Sequence, residues 1–80
     1  MGKRLIITNN IRRLRFFADE MTQLELAEKV GASRQTIVAV EAGKYAPSLE
    51  LAFRIAHAFG VPIGEVFLYE VEDDTKNNCN

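Results

Sequence analysis

The sequence predicts an all-α domain of five short helices, with a short strand-like segment at each end. Three observations predict it. Residues 22–44, TQLELAEKVGASRQTIVAVEAGK, hold two amphipathic runs separated only by Gly31, Ala32 and Ser33. Thr22, Ser33 and Ser48 each precede a run whose apolar residues recur at helical spacing, the pattern of a capped helix. Residues 5–8 and 67–71 behave differently: the first stretch is apolar and β-branched, and in the second Phe67, Tyr69 and Val71 alternate with Leu68 and Glu70, a strand period.

In chain order, residues 5–8 read as a strand because two isoleucines and a threonine sit in four positions. Asn9 and Asn10 can then cap a first helix, in which Ile11, Leu14, Arg15 and Ala18 fall on one side. Asp19 and Glu20 break that pattern. The second helix opens on a T-x-x-E capping box, Thr22 and Glu25, with Leu24, Leu26, Ala27 and Val30 expected to face inward. Gly31 stops it, since glycine enters the left-handed region without a Cβ clash. Ser33 caps the third helix, whose Ile37 and Val40 face inward. Ser48 caps a fourth, with a stripe of Leu51, Ala52, Ile55, Ala56 and Phe59 ending at Gly60, and Pro62 suits the first turn of a short fifth. The two strand-like segments, 5–8 and about 68–71, are expected to pair, because each alone leaves backbone groups and apolar side chains unpartnered.

Eighty residues, 48% of them hydrophobic, make a single domain that buries only about 60% of its unfolded surface, so a partner subunit would add stability. The domain is expected over residues 1–71, with its core in 10–67, followed by a polar tail, residues 72–80, too poor in apolar residues to order itself. No apolar run approaches the ~18 residues of a membrane span, and the N-terminal apolar run is cut short by Thr8, Asn9 and Asn10, which leads us to expect a cytoplasmic protein. Cys79 is the sole cysteine, so an internal disulfide is ruled out, and with one histidine, His57, a metal site is not expected. No cofactor is implied. Ser33 and Thr36 have no histidine and carboxylate partners in sequence to activate a nucleophile, so no enzyme is expected.

The net charge of −1 hides a division. Residues 1–45 carry eight basic and five acidic side chains, and residues 46–80 carry two basic and six acidic. A basic half with an acidic half turned away suits a polyanion bound through one face. The three-residue corner adds geometry: two helices held at a steep angle let one brace while the N-terminal end of the other projects Arg34 and Gln35 outward.

Gln23, Leu26, Ala27, Val30, Gly31, Ile37, Val40, Glu41 and Gly43 resemble, in type and spacing, the helix-turn-helix of the phage repressor and Cro family, the small XRE-like regulators. The resemblance covers about residues 10–67, and PSLELAFRIAHAFGV, residues 47–61, looks like the fourth helix and following loop of stand-alone members. It implies a compact five-helix repressor-like domain with the helix-turn-helix in helices 2 and 3. It further implies a homodimeric, sequence-specific regulator, most simply a repressor, that inserts helix 3 into the major groove of a pseudo-palindromic double-stranded operator. Three departures stand out: FADEM, residues 17–21, makes the loop after helix 1 one residue longer than usual, Ala42 stands where members often carry Asn, and the hydrophobic ends are additions.

Under this resemblance Arg34, Gln35, Val38 and Ala39 are the expected base contacts: an arginine fork fits guanine, a glutamine amide fits adenine, and the apolar pair can meet a thymine methyl. Gln23, Ser33, Thr36, Lys44 and Tyr45 are the expected backbone contacts, and Arg15 and Glu41 look like the family's structural ion pair joining helices 1 and 3. Plainer readings stand beside these. Arg34 and Gln35 would also serve as solvated surface groups, Ser33 as a cap, Lys44 as a partner for helix-end carbonyls, Phe16 and Phe17 as core or interface groups, and His57 as a partly exposed side chain off the inner stripe. Two other functions fit the same chain: the antitoxin of a toxin pair, whose acidic second half binds a basic protein partner, and a protein-interaction module whose helix-turn-helix does not touch DNA.

Overall fold

Side-chain caps set the starts of three helices. In the computed structural model, which describes residues 3–73, Thr22 and Glu25 close a reciprocal capping box at the head of α2 (Gln23–Val30): the Thr22 hydroxyl accepts from the Glu25 N–H and the Glu25 carboxylate accepts from the Thr22 N–H. Ser33 caps α3 (Arg34–Glu41) by accepting from the Thr36 N–H at 3.0 Å, and Ser48 caps α4 (Leu49–Phe59) by accepting from the Leu51 N–H at 3.1 Å. Each satisfies a donor that the first helical turn cannot use internally. Gly31 and Gly60 close α2 and α4 in the left-handed conformation.

Of the two asparagines expected to cap the first helix, α1 (Ile11–Phe17), one does so. Asn10 sits at the N-cap position without a side-chain capping bond, and its amide donates to the Glu65 carbonyl at the end of α5 (Ile63–Val66) instead. The Asn9 side-chain Oδ1 accepts from the Ile11 N–H at 3.1 Å, so Asn9 is the cap. After α1, Asp19 and Glu20 both take left-handed backbone, at φ 63° and 57°. These two residues absorb the extra length of the FADEM loop: the Glu20 N–H returns to the Phe16 carbonyl and the Met21 N–H to the Arg15 carbonyl.

The terminal segments form a two-stranded antiparallel sheet, β1 (Lys3–Asn9) against β2 (Phe67–Asp73), with Leu5 opposite Val71, Ile7 opposite Tyr69 and Thr8 opposite Leu68. The purely α class therefore gives way to a helical domain with a small sheet, because pairing the two ends satisfies backbone groups that five helices alone would leave open. β2 runs through Glu72 and Asp73, two residues beyond the expected end of the extended segment. The remaining expected tail, with Cys79, lies outside the described residues.

The core is the inward side of the five helices. Ile11, Leu26, Ile37, Val40, Ile55 and Val66 lose essentially all their exposed surface, and Ala27, Val30 and Ala56 join them. Leu24 does not: it is half exposed. Two residues before Leu26, it points about 160° away round the helix, so a two-turn helix cannot bury both. Phe16 and Phe17 are also exposed and pack edge to face on each other, with centroids 5.2 Å apart, rather than entering the core. Among the described residues, no helix is long and apolar enough to cross a membrane.

Candidate nucleic-acid interface

The inward positions of α3 determine what it can offer outward. Ile37 and Val40 are buried, which turns Arg34, Gln35 and Val38 into solvent and leaves Ala39 half-buried at the edge of the same face. Arg34 and Gln35 lie immediately after the cap, at the end whose free N–H groups carry the positive pole of the helix. The end itself is fixed, since the Ser33 hydroxyl meets both the Thr36 N–H and the Thr36 hydroxyl, 2.9 Å away.

The corner between α2 and α3 is held from behind. Gly31 has φ 74°, and a Cβ there would stand 3.2 Å from the Arg54 guanidinium. Arg54 in turn donates to the Val30 carbonyl, the last residue of α2, at 3.2 Å and pairs with Glu50 one turn earlier on α4. One side chain thus closes the end of α2 against α4.

At the far end of α3, Arg15 and Glu41 meet in a two-pronged ion pair. Arg15 Nε donates to Glu41 Oε1 at 3.1 Å and Nη2 to Oε2 at 2.9 Å, with side chains only 17% and 12% exposed. The third arm of the guanidinium, Nη1, donates to the Met21 carbonyl at 2.8 Å. Arg15 therefore binds α1, the loop before α2 and α3 into one unit. It also neutralises Glu41, the sole carboxylate on α3, so the helix that carries Arg34 presents no uncompensated negative charge. Gln23, at the first position of α2, is half-buried and reaches the same Glu41 carboxylate at a long 3.5 Å.

Lys44 and Tyr45 are exposed in the loop after α3, where Gly43 turns the chain at φ 77° and the Lys44 N–H returns to the Ala39 carbonyl. The Lys44 ammonium makes no ion pair among the described residues. Ala42, at the C-cap of α3, is exposed and adds no polar side chain there. His57 is exposed on α4, and among the described residues no group of histidine, cysteine and carboxylate side chains could hold a metal.

Two long-range contacts that matter to this geometry escaped the sequence reading. Asn9 donates its amide to the Val40 and Glu41 carbonyls at 3.1 and 3.3 Å, closing the C-terminal end of α3, while capping α1 with its oxygen. Its partners are 31 and 32 residues away, so only the capping half of its role had a local signal. Arg54 carried a local signal only for Glu50, at helical spacing; the Val30 carbonyl is a non-local partner.

Two short helices at a three-residue corner, braced behind by an arginine and tied to the first helix by an ion pair, with the polar head of the second helix projecting, define a helix-turn-helix domain. The chain belongs to the helix-turn-helix family of transcriptional regulators that includes phage repressors: the model of the family, described as helix-turn-helix, matches residues 11–66. It is 58% identical over 53 residues to an uncharacterized HTH-type transcriptional regulator of Methanocaldococcus jannaschii, covering 66% of this chain and 80% of that protein. A second uncharacterized HTH-type transcriptional regulator, from Methanothermobacter thermautotrophicus, is 54% identical over 57 residues, covering 70% of this chain and 81% of its own. The cryptic phage CTXphi transcriptional repressor RstR of Vibrio cholerae is 36% identical over 61 residues, covering 76% of this chain and 54% of the repressor.

Proposed function

We propose that this regulator binds a pseudo-palindromic operator in double-stranded DNA as a homodimer, with α3 in the major groove, and represses transcription there. The observation that carries the reading is the head of α3: Arg34, Gln35 and Val38 exposed together on a capped helix whose one carboxylate is neutralised. Arg34 reads guanine O6 and N7, Gln35 bridges adenine N6 and N7, and Val38 with the edge of Ala39 meets a thymine methyl. Gln23, Lys44 and Tyr45 hold phosphates on either side, and the Ser33–Thr36 hydroxyl pair lies beside the same strand, fixing register without reading sequence. Arg15 and Glu41 position α3 and touch no DNA.

The homodimer follows from the smallness of one recognition helix. A single α3 reads too few base pairs to select a site, and two half-sites about 34 Å apart multiply the discrimination. Repression, rather than activation, is supported by the likeness to a phage repressor. Selection of bound duplexes from a random pool tests the reading. An inverted repeat with a G and an A close together in each half is expected. A pool that shows no enrichment after repeated rounds at low salt would overturn it, and capture of a basic polypeptide in place of DNA would favour the antitoxin alternative.

A further inference from the structure

We infer that the second copy in the dimer docks on one face of the terminal sheet, and that this contact also holds the loop after α3. The inference rests on the homodimer proposed above and gives it a place.

In the antiparallel register, Leu5 opposite Val71 and Ile7 opposite Tyr69 point to one face of the sheet. All four side chains are exposed, at 59%, 55%, 49% and 68%. The charged strand residues whose side chains are described, Arg4, Glu70 and Glu72, fall on the opposite face, where Arg4 and Glu72 pair with each other. One face of the sheet is thus apolar across two consecutive rows, Leu5 with Val71 and Ile7 with Tyr69. Exposed apolar surface of several hundred Å² in one patch is the size at which monomers mark an interaction surface. The other exposed apolar groups are scattered: Leu68 on the opposite face of the sheet, Leu24 on α2, Phe16 and Phe17 on α1, Val38 on α3, and Leu49 and Phe53 on α4.

Three features point to a second copy of this chain as the occupant. The two rows themselves carry no charged side chain, so what covers them is apolar, and a second copy brings the same two rows in an isologous contact. A standard interface takes about 800 Å² from each partner; the four strand residues supply roughly half of that, and Tyr45, itself half exposed beside them, extends the patch. The face also continues into the candidate DNA interface, because Leu5, Ile7 and Phe67 form one wall of a groove whose other wall is Gly43, Tyr45 and Pro47. A copy seated on this face lies beside the loop carrying Lys44 and Tyr45, alongside the duplex rather than above it, as two half-sites on one DNA require. Its side chains close the groove and stop the 43–47 loop from swinging away from the phosphates.

The test is Ile7→Glu, with Thr8→Glu on the opposite face as control, followed by sedimentation equilibrium and circular dichroism. Ile7→Glu is expected to weaken the dimer at least about 30-fold by burying an unpaired charge, with unchanged helicity, while Thr8→Glu sediments like the parent. Should Ile7→Glu unfold, the parent itself decides: on dilution through its dissociation constant, the methyl resonances of Leu5, Ile7 and Val71 move and those of Leu24 and Leu49 do not. A parent that is monomeric at about 100 μM, an Ile7→Glu variant that folds and dimerises normally, or methyl shifts confined to residues off this face overturns the inference. Failure of the DNA reading gives a different result: a parent that dimerises through this face yet enriches no duplex from a random pool keeps the inference and removes the operator.

Discussion

Replacing Arg15 by alanine removes more than an ion pair. Glu41 is left 12% exposed with only the long Gln23 contact, and the Met21 carbonyl loses its 2.8 Å donor. Breaking a buried pair by removing one partner costs about 3–5 kcal/mol, because the orphaned charge stays desolvated. The pair here is not wholly sealed, so we expect the lower end, about 3 kcal/mol. Net stability of a domain this size is about 4–12 kcal/mol, so the change consumes a large part of it. In thermal unfolding followed by circular dichroism, the midpoint should fall by about 10–25 °C, taking about 4–8 °C per kcal/mol. Arg15→Met combined with Glu41→Leu should recover much of the loss, since two apolar side chains of similar bulk leave no charge behind. If Arg15→Ala melts within about 3 °C of the parent, the pair does not hold α1 to α3 and the register of α1 assigned here is wrong.

Three other substitutions probe the frame and the grip on DNA. Gly31→Ala should destabilise by about 1–2 kcal/mol, because a Cβ at φ 74° is strained and meets Arg54; chemical denaturation reads it, and a neutral result would mean that the corner relaxes freely. Asn9→Ala removes three hydrogen bonds that join β1, α1 and the end of α3, and should cost about 1–3 kcal/mol while exposing the amides around Ile11 to faster hydrogen exchange; unchanged exchange there would show that water replaces the side chain without loss. Lys44→Ala should weaken binding to all duplexes alike and lower the slope of log affinity against log salt by about one for each bound subunit; a loss restricted to the preferred operator would make Lys44 a reader of sequence.

How legible the fold was depended on the range of each interaction. Thr22, Ser33 and Ser48 cap helices through groups three residues away, and Gly31 needs only its own φ, so a sequence window contains the whole cause. The strand pairing was also open to inference, because residues 5–8 are apolar and β-branched, residues 67–71 carry a period of two, and each segment alone had an unmet need for a partner. Leu24 misled because apolar residues were gathered without checking their angle on a two-turn helix. Asn9 was read only as a helix cap, and Arg54 was not singled out at all; their carbonyl partners lie 31 and 24 residues off, which no local pattern encodes. The candidate site was legible as residue types on a helix head; the neutralisation of Glu41 by a side chain 26 positions earlier came from family resemblance, not from spacing.

The central claim is that the head of α3 reads base edges, and Arg34→Ala tests it most directly. The variant and the parent are titrated against the preferred operator and a scrambled duplex of equal length, at several salt concentrations. The predicted result is a loss of roughly 1–3 kcal/mol, about 5- to 150-fold, on the preferred operator, relaxed choice at one base position, and nearly unchanged weak binding to the scrambled duplex. An equal loss on both duplexes would contradict it, making Arg34 a phosphate contact that carries no sequence information.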